Sequence, residues 1–506
     1  MRVRHSAYNI ASSVAGQFVM ILLNFLSRII FVRALDIEYL GIHGLFTNIL
    51  AVLSVVELGV GQAIIYSLYK PLAENDRPKV KALVKLYASI YRIIGAVVFL
   101  LGLVLMFSLN FIMKERPDIP NLELLFLLFL INAVITYLFA HKRSILIADQ
   151  KTYVINIVHY SFYAGITVLQ IFILLVTENY LLFLTAQVLL NVVNNMVIAR
   201  LSDRRYPYLK KEKAARLADE SKTEMKKNIF AMMFHRMGDV IVFGTDNLII
   251  SAFLGVATVG LYSNYTLITT ALNGLLGQVF SATTASVGNL NTETSTEKKM
   301  AVFKSMLLID FWLYSFSSIA LLLLLNPFIE LWLGADFLLD FAVILFITAN
   351  FYLSGIRKAV LTFRDAMGLF WYDRYKPLLE SLLNIVVSIW LLHYFGLIGV
   401  LAGTMISTVA TSLWIEPYVL YKYGFSRQLR TYFCLWGIYL SIGLAAGGAA
   451  YFLASLIEAD GTAGFAAKAA VSFIVPNVLY FLLFRRLPEF RYIQDAGRTL
   501  LKRKTA

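Results

Sequence analysis

Fourteen apolar runs, most of them about twenty residues long, dominate this sequence, and they leave few folds open to it. A run of that length crosses a hydrocarbon layer of about 30 Å as a helix, and only an internally hydrogen-bonded backbone is tolerated there. The runs cover residues 9–32, 41–66, 86–111, 122–147, 153–176, 180–199, 228–253, 257–287, 303–325, 337–361, 376–394, 396–420, 431–454 and 464–484. The chain is therefore expected to be an all-α polytopic membrane protein with about 14 transmembrane helices. MRVRH precedes the first run with no small-residue cleavage site at signal-peptide distance, so the first helix is expected to be retained.

Composition supports this class and removes others. Only 15% of the 506 residues are charged, 59% are hydrophobic and the mean hydropathy is +0.72, outside the range of soluble domains. The single cysteine, Cys434, rules out a disulfide framework, and the six histidines show no metal-ligand spacing. Phosphate-binding loops, dinucleotide fingerprints and nucleophile elbows are all missing from the sequence. No enzyme, metal site or cofactor is expected.

The net charge of +14 is explained by topology, so no nucleic-acid partner is invoked. About 38 of the 45 Lys and Arg residues lie at the termini or in and beside the even-numbered connections, against about four on the other side. Those four are Arg33, Lys114, Arg116 and Lys468. Both termini are thus expected in the cytoplasm, with the chain in the plasma or inner membrane. The longest hydrophilic segment, residues 201–227, reads as a cytoplasmic connector resting on anionic headgroups.

The chain also repeats itself. Leu35, a five-residue gap and Gly41 reappear 219 residues later as Leu254, the same gap and Gly260. Lys79, Ala82 and Lys85 return as Lys298, Ala301 and Lys304, and Gly61-Gln62 as Gly277-Gln278 with a small shift. Each copy holds six spans and starts on the same side, so the repeat is parallel, a design found in secondary transporters. The expected domains are a six-helix lobe at 1–200, the connector 201–227, a second lobe at 228–422, and two further helices with a basic tail at 423–506.

Polar residues within the spans point to a site, because a charge in hydrocarbon is costly and turns to a protein interior or cavity. Ser13, Gln17, Asn24 and Arg28 share one face of the first helix. Thr47, Ser54, Glu57 and Gly61 form a second stripe, and His235, Asp239 and Asp246 share a face of the seventh helix, which also carries Arg236. Arg28, Gln17, Asn24, Arg236 and His235 are the candidates for binding substrate. Glu57, Asp239 and Asp246 are candidates for coupling to protons or sodium. The weaker signals His159, Gln187, Asn191, Asn194, Asn195, Asn350, Glu380, Asn384 and Glu416 are expected mainly to join helices by hydrogen bonds.

The run SRIIFVRALDIEYLGIHGLFTNIL, followed by ELGVGQAI, resembles the start of the Wzx-type polysaccharide repeat-unit flippases. These belong to the multidrug/oligosaccharidyl-lipid/polysaccharide (MOP) exporter superfamily. TDNLIISAFLGVATVGLYSNY resembles the segment that opens their second half. Asp36 departs from the pattern, standing where many members have glycine, and carry-over to cavity arginines stops at Arg28. The resemblance implies a V-shaped, MATE-like pair of six-helix lobes plus two C-terminal helices. It further implies transfer of an undecaprenyl-pyrophosphate-linked oligosaccharide between leaflets by alternating access, by a monomer, for capsule, exopolysaccharide or O-antigen-type synthesis.

Physical chemistry leads the same way, since glycan and pyrophosphate need a polar, partly cationic path while the polyprenyl tail stays in lipid. Guanidinium suits phosphate oxygens there. A lipid II flippase of peptidoglycan synthesis and a cation-coupled drug antiporter of the MATE type remain as alternatives. A polymerase or ligase with a large extracellular catalytic loop is disfavoured, because the loops on that side are short.

Overall fold

The computed structural model describes residues 2–57, 60–211, 245–293, 295–369, 372–459 and 461–495. They form helices throughout, with no strand among the described residues. In chain order these are α1 (Arg2–Ala34), α2 (Ile37–Leu53), α3 (Val60–Ala73), α4 (Arg77–Phe107), α5 (Leu109–Ile112), α6 (Leu122–Ala148), α7 (Thr152–Thr177), α8 (Tyr180–Arg205) and α9 (Tyr208–Lys211). There follow α10 (Thr245–Leu254), α11 (Val256–Glu293), α12 (Thr296–Leu333), α13 (Phe341–Gly355), α14 (Lys358–Ala366), α15 (Lys376–Phe395), α16 (Leu397–Ala410), α17 (Ser412–Val419), α18 (Arg430–Ser455) and α19 (Gly461–Phe484). Eleven spans among the described residues are long and apolar enough to cross a membrane, so the all-α polytopic class holds while the count of fourteen is not fixed. Span 228–253 is described only from Thr245 onward, and the 201–227 connector only as far as Lys211.

Helix starts are set by local chemistry. Asp76 accepts from the Lys79 N–H at 3.1 Å to start α4, and Asn179 accepts from the Leu182 N–H at 3.1 Å to start α8. Each side chain satisfies a first-turn donor that hydrocarbon would leave bare. Leu100, Val104, Phe172, Trp390 and Phe473 are all exposed on the outer faces of their helices. Such surfaces would promote aggregation in water, and in a bilayer they meet acyl chains.

The chain divides into two compact units, Met1–Gly260 and Leu261–Ala506. In the first, α1 lies along α7, α6 lies between α4 and α8, and Phe46, Phe126 and Leu130 fill the core. Gly16 permits the α1–α7 approach, because a methyl group there would run into the Tyr160 ring. The first turn of α11, Val256–Gly260, belongs to this unit and meets the start of α2. A Cβ on Gly41 would collide with the Val256 carbonyl oxygen, and one on Gly260 would fall 2.7 Å from that of Ile37. The glycines paired by the repeat thus face one another, and their lack of side chains lets two backbones cross.

In the second unit α12 is central, bordered by α13, α14, α18 and α19. The two C-terminal helices pack on it through Phe311 stacked on Tyr439 at 4.8 Å, Trp312 Nε1 donating to Asn477 at 2.7 Å, and Ser315 paired with Tyr480 at 2.6 Å. A single turn at Gly396 (φ +56°) joins α15 to α16. Gly403 lets their backbones touch, since a Cβ there would lie 2.6 Å from the Ser388 Cα.

Four of the fourteen runs differ from their reading as uninterrupted helices, run 86–111 through a turn at Ser108 between α4 and α5. Run 41–66 breaks between α2 and α3 at a 3-10 turn, Ser54–Glu57. Run 337–361 breaks between α13 and α14 at Ile356 and Arg357, and run 396–420 at Thr411, with a π-turn following at Leu420–Phe425. Hydropathy averages over such points because the residues on both sides stay apolar. At the first break, Ser54 Oγ bonds back to the Ala51 carbonyl at 2.6 Å, and the sequence around it, Ser-Val-Val ahead of a Gly-Val-Gly, is rich in poor helix formers.

Candidate functional site

The polar face of α1 lies partly against α7. Asn24 accepts a hydrogen bond from the Tyr163 hydroxyl, and Gln17, two turns earlier, is half-buried. Arg28, one turn beyond Asn24, keeps part of its surface and interacts electrostatically with His43 of α2. His43 pairs through Nδ1 with the Tyr180 hydroxyl at 3.0 Å. Phe31 sets its ring edge-on to Tyr180 at 5.6 Å and to Phe183 at 5.7 Å, walling this pair. Arg28, His43 and Tyr180 therefore form one cluster drawn from α1, α2 and α8. Sequence reading singled out Arg28 alone, because His43 lies a few residues into the next helix with no polar stripe to mark it.

Glu57 ends the 3-10 turn between α2 and α3. Its Oε1 accepts from the Tyr91 hydroxyl at 2.6 Å, and the Tyr137 phenol interacts electrostatically with the same carboxylate. Tyr87 stacks edge-on with Tyr91 at 4.5 Å. Gly61, one turn further, makes room for this group, since a Cβ there would lie 2.9 Å from the Tyr91 oxygen and 3.2 Å from that of Tyr87. An acid is thus held at a helix break by a neutral donor. The GVG spacing after Glu57 was the available signal for the break.

Asp246 is half-buried near the start of α10. His235, Arg236 and Asp239 lie outside the described residues. Gln170 bridges to Gln187 at 3.1 Å and Asn191 to Asn132 at 2.9 Å, so these amides join helices as expected.

The second unit holds a charge network that sequence reading saw only in part. Arg357, at the break between α13 and α14, donates to Glu416 of α17 through Nε at 2.9 Å and Nη2 at 2.5 Å. Lys376, at the start of α15, donates to the same carboxylate at 2.5 Å. Glu380 accepts from Ser412 at 2.6 Å and Thr408 at 3.2 Å, with Lys376 at 3.7 Å and Arg357 at 4.0 Å. Glu416 is fully buried and Arg357 is 14% exposed by side chain, so this ion pair is removed from solvent. Asn384 donates to Thr404 at 2.9 Å and Asn350 to the Leu401 carbonyl at 2.9 Å. Glu380, Glu416, Asn350 and Asn384 do bind helices together. Arg357 and Lys376 were passed over because both read as cations at loop edges.

Among the described residues no group of three or more His, Cys, Asp or Glu is placed to hold a metal ion. The architecture is that of an all-helical polytopic membrane protein, and it is similar to that of solved transporters. The structure of a lipid II flippase, MurJ, in an inward closed conformation aligns with a TM-score of 0.68 at 15% identity, covering 94% of this chain and 99% of that one. An inward-facing multidrug resistance MATE family transporter of the MOP superfamily aligns with a TM-score of 0.64 at 15% identity, covering 79% and 94%. A mutant of the Vibrio cholerae MATE transporter VcmN aligns with a TM-score of 0.57 at 12% identity, covering 85% and 99%. At these identities the likeness is one of fold. No curated protein matches the chain. Residues 6–285 match the polysaccharide biosynthesis protein family, more than half of the chain, and the protein belongs to that family.

Proposed function

We propose that the protein is a flippase that carries an undecaprenyl-pyrophosphate-linked oligosaccharide from the inner to the outer leaflet of the cell membrane by alternating access, with both termini cytoplasmic. Membership of a polysaccharide biosynthesis family supports the cargo class, and the MOP-type fold supports transport rather than chemistry. The observation that carries the reading is Arg28. It is a cation within an apolar helix, keeps accessible surface, and stands in line with Gln17 and Asn24 beside His43. A partly accessible guanidinium next to neutral hydrogen-bonding groups suits a pyrophosphate, which planar, charge-assisted donors bind in bidentate fashion. Glu57 and Asp246, with Asp239 and the further binding candidates His235 and Arg236, complete the proposed site, the carboxylates serving a coupling proton or sodium ion.

The test is surface polysaccharide measured in cells carrying substituted protein. Arg28→Ala is expected to abolish export at nearly unchanged protein abundance, and Arg28→Lys to restore part of it, because lysine supplies a point charge without the planar fork. Wild-type export from Arg28→Ala would overturn the binding role.

One second reading has support, the lipid II flippase, since the MurJ structure aligns along nearly the full length of both chains. Rescue of growth in cells depleted of their own lipid II flippase would favour it, whereas loss of surface polysaccharide with normal growth on deletion favours the first. A drug antiporter of the MATE type is separated by Arg28→Glu, which a carrier of organic cations would tolerate or gain from.

A further inference from the structure

Asp310 stands apart from every group discussed so far. It lies on α12, about 21 Å along the helix from Thr296, and is completely buried. Its Oδ2 accepts the Ala359 backbone N–H at 2.9 Å, in the first turn of α14, immediately after the break in the α13–α14 span. A break inside hydrocarbon leaves first-turn N–H groups without intrahelical acceptors, and a carboxylate from a neighbouring helix satisfies one of them while favouring the positive end of the helix dipole. The other oxygen, Oδ1, is buried and has no hydrogen-bond partner among the described residues.

Three phenols of the same core share this deficit. The hydroxyls of Tyr314 on α12, Tyr352 on α13 and Tyr432 on α18 are each buried without a partner among the described residues, and each interacts electrostatically with the Asp310 carboxyl. Tyr314 and Tyr432 are no more than 1% exposed as whole residues. Four orphaned polar atoms converging in one core are unusual, because buried polar groups are normally paired. From α14 Lys358 interacts electrostatically with Asp310, and from α19 the Tyr480 hydroxyl, paired with Ser315, interacts with Tyr352. Phe280 lies beside Tyr314, with ring centroids 6.4 Å apart.

We infer that Asp310 is a proton-binding site, with Oδ1 taking the proton and the hydroxyls of Tyr314, Tyr352 and Tyr432 exchanging donor and acceptor roles around it. The chemistry favours a proton over a metal ion. One carboxyl and three phenols offer a single formal negative charge, too little for a dedicated cation cage, and no cluster of three acidic or metal-ligating side chains stands among the described residues. A phenol hydroxyl can donate to an ionised Oδ1 and accept from a protonated one once a side-chain shift brings the two oxygens within hydrogen-bond reach, so the same groups serve both states. The proton enters from solvent and leaves to it, with no bond between heavy atoms made or broken. Its binding has a mechanical consequence. Neutral Asp310 is a weaker acceptor for the Ala359 N–H, so proton uptake loosens the start of α14, and with it the neighbouring Arg357 that holds Glu416. The site is independent of the cargo assigned above.

The experiment is difference infrared spectroscopy on the purified full-length protein in lipid nanodiscs, stepped from alkaline to acidic buffer with no substrate present. A protonated-carboxyl stretch is expected to appear on acidification, to shift when aspartate carboxyls carry carbon-13, to vanish in Asp310→Asn, and to persist in Glu57→Gln. Hydrogen exchange of the Lys358–Ala366 amides, corrected for intrinsic rates, is expected to rise several-fold on acidification in the wild type and to be raised and unresponsive in Asp310→Asn. If Asp310→Asn does not fold, the isotope shift in wild-type protein together with a displaced midpoint in Asp310→Glu carries the same assignment. A band that survives unchanged in Asp310→Asn, shows no aspartate isotope shift, or is bleached by sodium at constant pH would overturn the inference.

Discussion

Glu57 and Glu416 sit beside interrupted helices in the two units, and they are held in opposite ways. Glu57 takes its hydrogen bond from Tyr91, a neutral phenol, and interacts electrostatically with a second phenol, Tyr137. Glu416 is clasped by Arg357 and Lys376, two cations, and lies entirely out of contact with solvent. The phenols that hold Glu57 bring no countercharge, which is what the proposed coupling to a proton or sodium ion requires. Glu416, held by two cations that Glu380 shares, belongs to a charge-balanced network that ties α14, α15 and α17 together. The same residue type at a helix break is thus held by a neutral donor in one unit and by cations in the other.

The comparison breaks first at Glu416. Glu416→Ala leaves Arg357 and Lys376 buried without their shared partner, and losing one side of a buried pair costs about 3–5 kcal/mol. Thermal unfolding in detergent is expected to show a large drop or no folded protein at all. Pairing the change with Arg357→Met should recover part of the loss, a non-additivity that marks contact between the two sites. A small effect of Glu416→Ala alone would mean the network carries little cohesion.

Packing at the paired glycines ranks next. Gly41→Ala places a methyl group against the Val256 carbonyl, and forcing that backbone aside costs about 1–3 kcal/mol by the usual penalty for overpacking. Comparable thermal stability of Gly41→Ala and wild type would show that the crossing of α2 and α11 yields without strain.

The smallest expected effect on stability sharpens the contrast most. Tyr91→Phe removes one hydrogen bond from a neutral donor to Glu57, worth about 1–2 kcal/mol, and Glu57→Gln should change stability by no more than that. In transport the order reverses. Glu57→Gln is expected to uncouple flux from an imposed ion gradient in proteoliposomes while the folded fraction stays near wild type. Unaltered coupling in that variant would place Glu57 with Glu416 as a structural acid.

Much of the architecture was legible because its signals are local. The length of an apolar run is read against the thickness of a bilayer, and cations flanking runs read as loops, without knowledge of any partner. The shared face of Gln17, Asn24 and Arg28 followed from helical periodicity alone. The interruptions were not legible. The break at Ile356 and Arg357 sits in a stretch whose composition is ordinary for a span end, and what stabilises it comes from elsewhere: Asp310 from α12 and Glu416 from α17. His43 escaped notice for a related reason, since its place beside Arg28 and Tyr180 depends on how α1, α2 and α8 pack.

The sequence by itself determined that this chain is a helical, duplicated membrane protein, because hydropathy, periodicity and flanking charge act over a few turns and need no tertiary information. Only the tertiary structure decided which acids face cations and which face neutral donors. A carboxylate's state in a medium of low dielectric is set by the donors within a few ångströms, and for Asp310, Glu57 and Glu416 those donors arrive from helices tens of residues away in the chain.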